Sequence, residues 1–383
     1  MIFTTAVIAD IHFGAIKPEI LYQELREEFL AFLKDKYIDM VVIAGDFYNS
    51  IISLNSQSAL KSFMFMQELV TQCEMNGVKY IRIIEGTLSH DNFQILNFRM
   101  HERNTKLSFK IITKVEKEVL PEGIKILYLP EEYMENPITY YEPFVYVKPK
   151  YYDFIFGHGM FRETAFTKDD GESQISKAPI WDSKLLGTIT RGPVFFGHIH
   201  TSQVIRKHIY YTGSFSRWVY GQEEDKGFYL CAYDTATGKY AVEFKKNKLA
   251  RPYDTVTLNM SQYSGDLDSL VETFKKLKQD HLRIQILIDA QEKDFSYELS
   301  FLKEYFTGKP GYKLDLVDKR EKVQQEQIEA KVNKLLEDYN FLFDKTLPVS
   351  TKIHKFIKRK YKREVSEEKI KALLNLDTVK SSS

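Results

Sequence analysis

Five short strings of this chain combine acidic and imidazole side chains at spacings suited to holding cations: Asp10-x-His12, Gly45-Asp46, Gly86 to Asp91, Gly157-His158 and Gly197-His198-x-His200. In an extended backbone, side chains two residues apart point to the same side, so Asp10 with His12 and His198 with His200 are each arranged as a chelating pair. Mixed carboxylate and imidazole donors suit manganese, iron or zinc, whereas magnesium alone favours an all-oxygen shell. Manganese is the expected ion. Two such ions roughly 3.5 to 4 Å apart can clamp a phosphoryl group and supply hydroxide at neutral pH. Asp46 is the natural bridge between them. His90 is expected to act from outside the metal shell as a proton or hydrogen-bond donor to an oxygen of the substrate, with Asp91 orienting its ring.

The elements that must position these residues are short β-rich runs at Phe3 to Ala9, Met40 to Ala44, Tyr80 to Ile84, Ile124 to Leu129, Asp153 to Phe156 and Val194 to Phe196. Helical periodicity separates the first three, over Glu19 to Leu33 and Leu60 to Gln72, so a parallel α/β layer is expected. The proposed ligands follow the carboxyl ends of the runs, where α/β sheets collect their ligand sites. Five of the nine histidines lie there. Glycines 45, 86, 157 and 197 precede them and allow a close backbone approach. The runs Ile209 to Thr212, Phe228 to Tyr233 and Tyr240 to Phe244 lack intervening helices, which predicts an antiparallel meander closing the domain.

From Arg251 the pattern becomes strand, helix, strand, helix, strand: Thr255 to Leu258, Leu267 to Lys278, Leu282 to Ile288, Tyr297 to Tyr305 and Lys313 to Val317. Beyond Lys319 the chain is charged and helical, interrupted at Pro348, and ends in Ser381 to Ser383. The expected organisation is therefore a catalytic domain over 1–250, a small α/β capping domain over 251–320 and a helical region over 321–383. In the last, seven cations between Lys352 and Arg363 surround a narrow stripe of Ile353, Phe356 and Ile357. Such a helix suits either a partner surface or its own domain.

Composition narrows the classes. At 383 residues and 43% hydrophobic content, the chain can bury a substantial core. It has 54 basic and 53 acidic residues, so bulk charge neither announces nor forbids a polyanionic partner. No apolar run is long enough to span a bilayer, and Asp10 interrupts the apolar start, so no membrane association and a cytoplasmic location are expected. Cys73 and Cys231 have no Cys-x-x-Cys partner and read as reduced structural residues.

Taken in order, the five strings resemble the signature of calcineurin-like metallophosphoesterases. Within that superfamily the chain is similar to the nuclease subunit of the SbcCD type, including phage-encoded relatives. Tyr211-Thr212-Gly213-Ser214-Phe215-Ser216-Arg217-Trp218 and Lys226-Gly227-Phe228 add to the likeness. The resemblance implies a β-sandwich flanked by helices, two manganese ions, DNA exonuclease and endonuclease activity, a homodimer, and an SbcC-like coiled-coil ABC ATPase as partner. It places Asp10, His12, Asp46 and His200 on one ion, and Asp46, His158 and His198 on the other.

The chain departs from that pattern at one position. The family's Gly-Asn-His-Asp supplies an amide ligand, but here the string reads Gly86-Thr87-Leu88-Ser89-His90-Asp91, leaving Ser89, Thr87 or water to fill the place. Ser214 and Arg217 are candidate contacts to substrate phosphate, with a turn residue and a surface cation as the plainer readings. Phe13, Tyr48, Trp218 and Tyr220 read singly as core aromatics rather than base-stacking platforms. His101, His208, His281 and His354 read as structural. Two other functions remain open: a small-molecule phosphodiesterase or phosphatase, and a non-cleaving scaffold of an ATPase.

Overall fold

The computed structural model describes residues 1–34, 36–164, 180–263, 266–278, 280–288, 294–318, 334 and 338–373. The expected charged stretch beyond Lys319 lies partly outside them, and the Ser381 to Ser383 tail wholly so. The chain divides into two compact units. The first comprises 1–256, 270–283 and 308–313; the second comprises 257–269, 284–307 and 314–383.

The first unit is built on two six-stranded mixed sheets. Strands β1 (Ile2–Ile8), β2 (Met40–Ala44), β3 (Tyr80–Ile84) and β4 (Ser108–Ile112) run parallel, and β11 (Gly227–Asp234) and β12 (Tyr240–Lys246) extend the sheet antiparallel beyond β1. The second sheet has the order β5 (Glu116–Val119), β6 (Lys125–Leu129), β7 (Phe154–His158), β8 (Val194–Gly197), β10 (Ile209–Tyr211) and β9 (Gln203–Ile205). Its four strands β6, β7, β8 and β10 are parallel.

Alternation of side chains builds the layers. Phe3, Val7, Met40, Val42 and Ala44 face one way and meet Ile126, Tyr128, Phe154, Phe156 and Phe195 of the other sheet in one buried cluster. The opposite face of the first sheet, with Ala6, Ile8, Val41 and Ile43, packs on Leu25, Phe29, Leu33, Phe65 and Leu69 of the helices. Leu127, Leu129, Ile155 and Val194 of the second sheet pack on Tyr141, Val145, Leu186 and Ile189. A sheet pair buried on both faces needs near-continuous apolar strands, which is how β1, β2 and β7 read.

One expectation fails. Ile209 to Thr212 does not join Phe228 to Tyr233 in a meander: β10 pairs parallel with β8 in the second sheet, while β11 and β12 form a hairpin on the first. The intervening residues Thr212 to Lys226 carry the chain from one sheet to the other, and a crossing of that kind leaves no mark in hydrophobic periodicity. The first expected helix also differs in detail, since Pro18–Glu24 passes through a π-helical segment, Leu25–Leu30, into Ala31–Lys34.

A third sheet joins β13 (Tyr253–Asn259), β14 (His281–Ile288) and β15 (Tyr312–Asp318), with helices Leu267–Leu277 and Ser296–Phe306 between them in sequence. In the second unit, helices Val349–Tyr361 and Glu367–Leu373 pack together; His354 donates through Nδ1 to the Val365 carbonyl at 2.6 Å. Ile353, Phe356 and Ile357 are half-buried, while Lys355, Lys358, Arg359, Lys360, Lys362 and Arg363 are exposed. No helix among the described residues is long and apolar enough to cross a membrane.

Candidate metal centre

The parallel strands of both sheets end at one place. Asp10 and His12 follow β1, Asp46 follows β2, Thr87 and His90 follow β3, His158 ends β7, and His198 and His200 follow β8. Beyond the strands, the first two loops stay paired through backbone bonds from Asp10 N to Gly45 O and from His12 N to Asp46 O, both 3.1 Å. Four ligand candidates hold left-handed backbones, with φ of 49° at Asp10, 52° at His12, 50° at Asp46 and 94° at His198. Such conformations are unfavourable for residues with a Cβ, persist only where surrounding structure fixes them, and cluster at functional sites. At Gly45, φ is 86° and a Cβ would overlap the His158 ring; at Gly86 a Cβ would overlap the Asp46 backbone.

Two donor sets meet at Asp46, the first reaching it through His12. In the first, Asp10, His12 and His200 bring ligand atoms within 4.8 Å of one another, and so do His12, Asp46 and His90. His12 Nε2 lies 3.2 Å from His200 Nε2 and 3.8 Å from Asp46 Oδ2. In the second, Asp46, His158 and His198 converge in the same way, with Asp46 Oδ2 3.2 Å from His158 Nε2. His158 donates through Nδ1 to the Ala44 carbonyl at 2.9 Å, which turns Nε2 toward Asp46. His198 donates its backbone N–H to Asp10 Oδ1 at 2.9 Å, tying the two sets together.

These donors fit cations. Asp10 Oδ2 is buried without a hydrogen-bond partner, which is costly unless something else satisfies it. Burial pushes the Asp10 carboxyl up to about 7, with His158 opposing and Asp46 adding to the rise. Burial also favours the neutral form of Asp46, but His158, His12 and His90 hold its carboxyl well below the usual range. His158 is driven well above its ordinary value by Asp46, Asp10 and Glu131 against the effect of burial, while burial lowers His12. Buried carboxylates and imidazoles here depend on one another for charge, a role that divalent ions fill without protons. The buried Asp and His groups thus form a binuclear donor set.

Around it, the structure redistributes several expected roles. Asp91 does not orient His90. Its Oδ1 accepts from Tyr48 N at 2.9 Å and its Oδ2 from Gly86 N at 2.8 Å, so the carboxylate staples the β2 loop to the β3 loop. His90 is instead held by donation from Nδ1 to the Asn49 carbonyl at 2.6 Å. Ser89 is exposed, and Thr87 is the hydroxyl that enters the cluster. Thr87 Oγ1 lies 3.3 Å from each of Asp46 Oδ2, His158 Nε2 and His198 Nδ1.

Both expected phosphate contacts are engaged within the chain. Ser214 is fully buried and donates to the Ser216 carbonyl at 2.9 Å. Arg217 donates to the carbonyls of Gln222, Ala250 and Glu224 and so braces its own loop. Phe13 and Tyr48 are core residues. Trp218 is half-buried with its ring centroid 4.4 Å from that of His12 and 4.8 Å from that of His200, and Tyr220 packs on Tyr253. Among the remaining histidines, His101 is buried against Phe109 and His281 stacks on Tyr253.

Sequence reasoning missed Glu131. It follows β6 by two residues, and its buried Oε2 lies 3.1 Å from His198 Nδ1 and 3.2 Å from Thr87 Oγ1. The rule that picked the other candidates, a ligand-type residue just beyond a strand's carboxyl end, also applies to Glu131; the Leu-Pro-Glu-Glu context carried no glycine or histidine to draw attention to it.

No protein-family model matches the chain, and no curated protein does. Among solved structures, the chain is similar to the cold-active protein-tyrosine phosphatase of a psychrophilic Shewanella species, with 12% identity over 63% of this chain and 80% of that chain and a TM-score of 0.27. A likeness of that size carries no argument, and the site stands on its own geometry.

Proposed function

We propose that this chain is a metal-dependent phosphoesterase that hydrolyses phosphodiester bonds of DNA with two manganese ions. The observation that carries this reading is the pair of donor sets that meet at the buried Asp46, the first through His12, with His90 beside them. Asp10, His12, Asp46 and His200 would hold one ion, and Asp46, His158 and His198 the other. When bound, such ions neutralise a phosphoryl group and supply a nucleophile at neutral pH.

The chain's own residues do the rest. His158 is presented in a fixed tautomer by the Ala44 carbonyl, and His90 is fixed by the Asn49 carbonyl so that its ring stands at the edge of the cluster, 4.8 Å from the His12 ring centroid. From there His90, protonated on both ring nitrogens with Nδ1 held by the Asn49 carbonyl, stabilises charge on a substrate oxygen by donating a hydrogen bond through Nε2. DNA as substrate is supported by the ordered motif resemblance rather than by the site. The same resemblance supports a homodimer with a coiled-coil ABC ATPase, for which the exposed cations of the Val349–Tyr361 helix offer a docking surface.

The test is purified protein against a linear duplex, a single-stranded circle and a small phosphodiester, each with manganese or magnesium, beside Asp46→Ala. Manganese-dependent DNA cleavage that disappears in Asp46→Ala is the expected result. Turnover of the small diester alone would replace the nuclease reading with a small-molecule phosphodiesterase, and no turnover on any substrate would remove the catalytic reading.

A further inference from the structure

We infer that Glu131 is itself a metal ligand, a carboxylate that works with the Thr87 hydroxyl in place of an amide at the second ion. The inference deepens the binuclear reading above and rests on it. Five donor atoms meet here: Asp46 Oδ2, His158 Nε2, His198 Nδ1, Glu131 Oε2 and Thr87 Oγ1. Thr87 Oγ1 is 3.2 or 3.3 Å from each of the other four. Around that set, Asp46 to His158 is 3.2 Å, His158 to Glu131 is 3.9 Å and Glu131 to His198 is 3.1 Å. Ligands bound at about 2.0 to 2.2 Å from one cation stand roughly 2.8 to 3.1 Å apart along the edges of an octahedron and roughly 3.3 to 3.6 Å along those of a tetrahedron. The set is therefore near ligand spacing except between His158 and Glu131, which would have to close up. An octahedral vertex has four such neighbours, which is the number Thr87 Oγ1 has.

Glu131 is also built to serve. Its other oxygen, Oε1, accepts from the Tyr133 hydroxyl at 2.9 Å, which directs Oε2 to the cluster. Hydrogen bonds to the outer oxygen of a carboxylate are the usual way a metal ligand is oriented. The backbone places it as well, since Glu131 N donates to the Glu85 carbonyl just beyond β3, so the β6 loop is drawn toward the loop that carries Thr87.

Manganese binding distinguishes a ligand from a neighbour. Wild type, Glu131→Ala, Glu131→Gln and Asp10→Ala are titrated with manganese alone by calorimetry, after circular dichroism confirms that each metal-free variant is folded. The expected result is two ions per wild-type chain, with the second weakened 10–100-fold in Glu131→Ala and less in Glu131→Gln, which keeps an oxygen donor. Should Glu131→Ala not fold, Glu131→Gln against wild type carries the comparison. Two ions at wild-type affinity in Glu131→Ala, or equal losses in Ala and Gln, would overturn the ligand assignment and leave the binuclear reading standing. A wild type that takes up no ion would overturn both.

Discussion

His90 and Asp91 are adjacent in sequence and do different work. Asp91 spends both oxygens on backbone amides of two loops, so its loss is an architectural injury; burial, with Asp46 adding to it, pushes its carboxyl up to about 7. His90 spends one nitrogen on a carbonyl and keeps its ring against His12. His90→Asn is therefore expected to cut turnover by a factor of about 10² to 10⁴, the usual worth of a positioned acid or base, with thermal stability and manganese affinity little changed. Steady-state kinetics beside a manganese titration checks this, and undiminished turnover would remove His90 from catalysis. The ligand types were legible in the sequence because five of the nine histidines recur at strand ends beside Asp and Gly. Which neutral group enters the cluster was not legible. Thr87 and Ser89 carry the same chemistry, and only the turn that ends at His90, bonded back from its N–H to the Thr87 carbonyl at 2.9 Å, decides between them.

The elements repeat this division between pattern and contact. Strands β1, β2, β3, β6, β7 and β8 could be read because both faces are apolar, whereas β5, with its alternating half-buried and exposed residues, and three-residue β9 gave too little signal. The segment from Thr212 to Lys226 links the sheets, and one of its anchors is Glu24 at the end of the first helix. Glu24 accepts from Asn247 Nδ2 at 2.8 Å, and the same amide donates to the Phe215 carbonyl at 2.9 Å. Burial, partly offset by Ser216 and Asn247, raises the Glu24 carboxyl from 4.5 to about 7. The folded protein then keeps a proton that the unfolded chain releases, so this residue's contribution to stability falls as pH rises from 4.5 to about 7. Glu24→Gln is expected to flatten that part of the profile. Denaturant melts at about pH 5 and about pH 8 should show wild type losing more stability than the variant; parallel losses would show that Glu24 titrates normally.

For the first unit as a whole, the site is where two sheets are joined by chemistry as well as by packing. The first sheet supplies Asp10, His12, Asp46, Thr87 and His90, and the second supplies Glu131, His158, His198 and His200. A bound ion shared across them exists only in the folded state, so it stabilises by mass action, about 2.7 kcal/mol per site at a hundredfold excess over its dissociation constant. Manganese should raise the melting temperature of wild type, chelation should reverse the rise, and Asp46→Ala should show little of either. A melting temperature indifferent to manganese would mean that the sheets are not bridged.

The same arrangement bears on how the chain is made. The backbone N–H of His198 and the Asp10 carboxylate that receives it are separated by 188 positions. A growing chain offers Asp10 and His12 to the ribosome exit first and His198 and His200 last, and long-range pairings of this kind close late. Neither donor set can be completed on the nascent chain until β8 has joined β7. Cation choice is thereby deferred from synthesis to the finished fold, where free ions compete for a preformed cage and not for a string of loose histidines.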